Sequence, residues 1–186
     1  MLDPRSEVHA AIICDTLSRY SLPLLRLLSD AGTRVRTLDE GERYIDVSAE
    51  ISRLDIPLDL WPSAPAGLFV VAERTIYLRD ISPMTIGHEC GHAIDAALGG
   101  GAYRSTSDPA IQRLYECSTR FVTPYAASSV DELVAEAFRS YAEINDKNSP
   151  WPPVSRARLR ACNRDLYRAI AQFWRHPDVL VASKAA

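Results

Sequence analysis

The stretch SPMTIGHECGHAIDAALGGG, residues 82–101, decides how the chain reads. Ser82 suits a helix N-cap and Pro83 the first turn, and three glycines at 99–101 end the segment. Within it Ile86, Cys90, Ala93 and Ala97 recur at i, i+4, i+7 and i+11, which is an apolar stripe. His88, His92 and Asp95 form a second stripe on a different face. A capped helix with one apolar and one metal-capable face is the element around which the rest is read.

Upstream, TRVRTL (33–38) alternates apolar and polar residues, predicting a half-buried strand. GLFVVAERTIYLRD predicts two more strands, Leu68–Val71 and Thr75–Arg79, joined by a short turn. Helices are predicted over Ser6–Leu17 and from Ser21–Pro23 to Gly32, whereas residues 41–61 follow neither period. Downstream, Asp108-Pro109 opens a helix through Cys117, and Ser128/Ser129 cap a periodic helix, VDELVAEAFRSYAEI. After the rigid NSPWPPV break, one last helix is predicted over Ser155–Arg175, with a solvated arginine face. Strands first and helices after them predict an α+β fold, a small twisted sheet followed by a mostly helical region, with residues 1–186 as one domain.

The composition is that of a globular chain, with 47% hydrophobic and 24% charged residues. A formal net charge of −3 gives no field that draws the protein to nucleic acid or to anionic membrane. The four cysteines, Cys14, Cys90, Cys117 and Cys162, form no CxxC pair or disulfide framework, and mostly buried free thiols are expected. The first residues, MLDPRSEVHAAIIC, do not read as a signal peptide, so a cytoplasmic setting is the default, compatible with leaderless export or delivery as an effector.

His88-Glu89-Cys90-Gly91-His92 is an HExxH motif. On a helix, side chains at i and i+4 lie roughly 5–6 Å apart, so both imidazoles reach one zinc ion. Glu89 projects beside the metal, placed to take a proton from zinc-activated water. Gly91 permits a close approach of backbone or substrate, and Cys90, on the apolar stripe, reads as packing. A catalytic zinc takes three protein ligands. Asp95 and Leu98 stand where the metzincin extension needs Gly and His. His9 and His176 lack motif context, as do Glu116 and Cys117. Glu132 and Glu136, at i and i+4 on one helix with small Ala135 between them, are the better candidates, and their spacing does not choose between them.

HECGHAID, then Tyr125, then Glu132-Leu133-Val134-Ala135-Glu136-Ala137-Phe138-Arg139 resemble the C-terminal protease domain of anthrax lethal factor and the related Pro-Pro endopeptidases. Tyr125 precedes Glu132 by seven residues, Glu132 follows His92 by 40, and the GLFVVAERTIYL hairpin is similar too. The resemblance covers residues 65–140. It implies one catalytic zinc held by His88, His92 and Glu132 between two helices, an HExxH…Glu (gluzincin) arrangement. It further implies Glu89 as general base and Tyr125 as oxyanion donor. Glu136 then orients a ligand histidine, and Asp95 is a second candidate for that role or for a structural bond. The function implied is a zinc-dependent endopeptidase, acting on an extended peptide or protein added to an edge strand, either Val35–Leu38 or Leu68–Val71. The alternative is a catalytically silent zinc-binding adapter with the same fold.

Overall fold

The computed structural model describes residues 7–177 and the backbone of residues 2–3. Its fold is α+β, with a four-stranded mixed sheet in the order β1-β2-β4-β3. The strands are β1 (Leu2–Asp3), β2 (Arg34–Thr37), β3 (Gly67–Val70) and β4 (Thr75–Leu78). β1 and β2 run parallel, as do β2 and β4, and β3 pairs antiparallel with β4, Phe69 opposite Ile76. This makes β3 an edge strand and places β2 inside the sheet, so Val35–Leu38 is not available as an edge. Val71 lies in a 3₁₀ turn (Val71–Glu73) rather than in the strand, and β4 ends one residue before Arg79.

Helices α1 (Glu7–Leu17) and α2 (Leu22–Asp30) precede β2. Ser6, the expected start of α1, lies outside the described residues. α2 closes at Gly32, whose φ of +73° reverses the chain into β2. The aperiodic stretch 41–61 holds two short helices, α3 (Tyr44–Val47) and α4 (Ala49–Leu54), and a 3₁₀ turn. These cover a small second core of Leu38, Tyr44, Ile51, Leu58, Val70 and Tyr77. Helices this short escape a period test because each has only one or two inward-facing residues.

α5 (Pro83–Leu98) is the predicted HExxH helix, with Ser82 Oγ accepting from Thr85 N. Its apolar stripe packs into the main core, but its other face is buried as well, including Glu89, His92 and Asp95. It therefore runs through the middle of the molecule. After α6 (Pro109–Glu116) comes α7 (Val130–Ala142), which is capped by Ser129 and crosses α5. The expected C-terminal helix is broken in two, α8 (Arg156–Cys162) and α9 (Arg164–Arg175). Asn163 sits between them in extended conformation, and its Oδ1 accepts from Leu166 N as the cap of α9. The arginine face is also less uniform than expected: Arg156 lies 4.5 Å over the Tyr141 ring and Arg158 is half-buried. All four cysteines are free, but Cys14 and Cys117 are exposed, so the thiols are not mostly buried.

Candidate active site

The site begins at the crossing of α5 and α7. A Cβ on Gly91 would stand 2.6 Å from the carbonyl oxygen of Ala135 and 2.8 Å from its Cα. Only a glycine against a small residue permits this approach, and it brings the faces flanking both residues together. His88 and His92 come from α5, and Glu132 and Glu136 from α7.

Three donor atoms then form a triangle. His88 Nε2 lies 3.1 Å from His92 Nε2 and 3.0 Å from Glu132 Oε2, and His92 Nε2 lies 3.3 Å from the same oxygen. Ligands about 2.0–2.1 Å from a tetrahedral ion stand about 3.3 Å apart, so the triangle has the size of a metal's coordination face. Glu132 Oε2 is buried and has no aligned hydrogen bond, despite two imidazole nitrogens nearby. The three residues as a group can hold a metal ion.

Glu136 stands behind the triangle. Its Oε1 accepts from His88 Nδ1 at 2.9 Å, which fixes the tautomer with the Nε2 lone pair facing the centre. Arg139 donates to both Glu136 oxygens, at 2.8 and 2.7 Å, and Thr123 Oγ1 donates to Oε2 at 2.7 Å. Without a metal, burial opposes a charged His88, but the Glu132 and Glu136 carboxylates beside it prevail and push its pKa up to about 10. Burial likewise opposes charge on Glu132, and the two histidines outweigh it, taking it down to about 2.

Glu89 is buried against the sheet, where it accepts a hydrogen bond from the Phe69 backbone. Burial raises its pKa above the usual carboxylate range, against the lowering pull of His88 and His92. A Cβ on Gly67 would meet Glu89 Cγ at 2.8 Å and Thr85 Cγ2 at 2.6 Å, so the edge strand needs glycine there to leave room for the acid. Tyr125 opens a 3₁₀ turn (Tyr125–Ala127) and is 56% exposed, so it is not core packing. Its ring centroid is 5.3 Å from that of His88, and its hydroxyl bonds to Glu132. Thr123 ties this turn to Glu136, because its Oγ1 also accepts from Ala126 N. Opposite, Tyr103 places its ring 5.5 Å from His92. His88, Glu89 and Tyr125 open onto a cleft of about 560 Å³.

Of the two roles considered for Asp95, the geometry matches the structural bond. Asp95 accepts from Ser105 N and Oγ at 3.1 and 2.5 Å, while His92 Nδ1 has no hydrogen-bond partner. Cys90 is fully buried beside Tyr20, and burial pushes its thiol up to about 12. Glu116 and Cys117 are exposed at the end of α6, and with His9 and His176 they lie outside the group. Sequence reasoning missed Gly67, Thr123, Arg139, Tyr103 and Arg158. Only Arg139 carried a signal, its i, i+3 spacing from Glu136.

No family model matches the chain, and no curated protein matches it. Among solved structures it is similar in fold to the Pro-Pro endopeptidase PPEP-2 from Paenibacillus alvei. The TM-score is 0.64 at 17% sequence identity, over 93% of this chain and 96% of that one.

Proposed function

We propose that this chain is a zinc-dependent endopeptidase, its residues forming one catalytic domain. The observation that carries the reading is the His88–His92–Glu132 triangle with buried Glu89 beside it on an open cleft. The fold of a Pro-Pro endopeptidase supports it, and the preference of that enzyme for its substrate is not carried over. Two imidazoles and a carboxylate are a donor set suited to zinc, with one position left for water. Zinc held there supplies a Lewis acid that acidifies water and polarises a carbonyl.

The chain's own groups do the remaining work. Glu89, basic because it is buried, takes the proton of the attacking water and delivers it to the leaving nitrogen. Tyr125 donates its hydroxyl to the oxygen that becomes negative as the carbonyl is attacked. Glu136, Arg139 and Thr123 hold His88 in one tautomer. β3, whose Gly67 lines the cleft, is the edge along which an extended peptide adds. The test compares wild type with Glu89→Gln on a peptide library. Cleavage should fall about 10²–10⁴-fold while zinc stays near one equivalent. A variant that still cleaves, or a wild type that binds zinc and cuts nothing, as a silent adapter does, refutes the reading.

A further inference from the structure

The cleft onto which His88, Glu89 and Tyr125 open is also lined by Trp151 and Pro152 from the break before α8, and by Arg158 from α8 itself. Trp151 is 59% exposed, a large aromatic surface left to water in the cleft. Arg158 is half-buried, its backbone N–H held by Ser155 Oγ. Among the described residues its guanidinium has no acid, hydrogen-bond acceptor or aromatic ring as partner. Arg139, the other arginine that lines the cleft, is engaged. Its guanidinium donates to both oxygens of Glu136. Apolar Met84, Val122 and Pro124 line the same cleft.

We propose that Arg158 makes this cleft a subsite for a carboxylate of the substrate peptide, with the adjoining chain packed on Trp151 and Pro152. It rests on the peptidase reading above. A half-buried arginine with no acidic partner in a cleft lined largely by apolar residues leaves a charge that an incoming carboxylate can pair, and its planar fork matches that group. The carboxylate belongs either to an Asp or Glu side chain or to a free C-terminus.

The test uses decapeptide libraries that carry Asp/Glu or Asn/Gln at each scanned position, each made with a free and an amidated C-terminus. Cleavage is measured with the wild type, and binding with Glu89→Gln through tryptophan fluorescence. The acid form should be preferred about tenfold or more, as for a charge-assisted hydrogen bond. Arg158→Gln should abolish the preference, and Arg158→Glu should reverse it in favour of the Asn/Gln and amidated forms. Loss limited to the amidated series identifies the C-terminal carboxylate, and loss limited to the Asn/Gln series identifies a side chain. Zinc content and thermal midpoint report folding of the variants. Cleavage or binding indifferent to the acid, or a preference unchanged in Arg158→Gln, overturns the subsite. Acid-selective binding without cleavage leaves the subsite standing and sinks the peptidase reading, and no binding at all sinks both.

Discussion

At the residue scale the two glycines of the site do different work, and they separate experimentally. A methyl at Gly91 meets backbone, the Ala135 carbonyl at 2.6 Å, so α5 and α7 must part. Gly91→Ala should cost about 1–3 kcal/mol and weaken zinc retention, read by thermal melts and metal analysis. A methyl at Gly67 meets the Thr85 and Glu89 side chains, which yield. Gly67→Ala should keep its zinc and lose kcat through a displaced Glu89, so equal zinc loss in the two variants would refute the distinction. Asp95 carries a pH dependence. Burial raises its pKa from 3.8 to about 6, against the lowering bonds from Ser105. The fold thus favours the protonated carboxyl. That contribution is complete below pH 3.8 and is lost as pH rises through 6, a difference on the order of 2–3 kcal/mol. Asp95→Asn, which does not ionise, should therefore gain on wild type between pH 4.5 and pH 8 in urea titrations. A variant that loses ground over that range counts against the assignment.

At the element scale, end signals proved more legible than periodicity. Ser82, Asp108 and Ser129 each cap the helix that their positions predict, because a side-chain oxygen meets free N–H groups within the same few residues. The break between α8 and α9 was not legible, since apolar Leu159, Leu166 and Ile170 continue one helical stripe across it. Asn163 leaves the helix because its Nδ2 donates to Ser118 Oγ at 2.8 Å on the segment after α6, a contact 45 residues away in sequence. Asn163→Ala should lose the cap and this tether, costing at least about 1 kcal/mol, or a midpoint lower by about 2–4 °C in a thermal melt. An unchanged midpoint would mean that the break is set by packing alone.

At the scale of the whole molecule, the proposed zinc would tie α5 to α7 through the middle of the fold. Metal removal should then act on global stability as well as on activity. With free zinc at about 1,000 times its dissociation constant, linkage gives about 4 kcal/mol, so a chelator should lower the melting midpoint and one equivalent of zinc restore it. A midpoint indifferent to chelation would place the metal elsewhere. The sequence by itself determined the HExxH helix, its caps, the strands on either side of the hairpin turn and the α+β order, because each rests on neighbours within about one helical turn or one strand. It also brought Glu132 and Glu136 forward as a pair, and a family likeness was needed to choose between them. Only the tertiary structure decided that the histidine Glu136 backs is His88, that β3 and not β2 is an edge, and that Gly67, Arg139 and Arg158 belong to the cleft. These depend on how closely two helices cross and on which strand lies outermost. Both are set by contacts between segments tens of residues apart, and no local pattern encodes them.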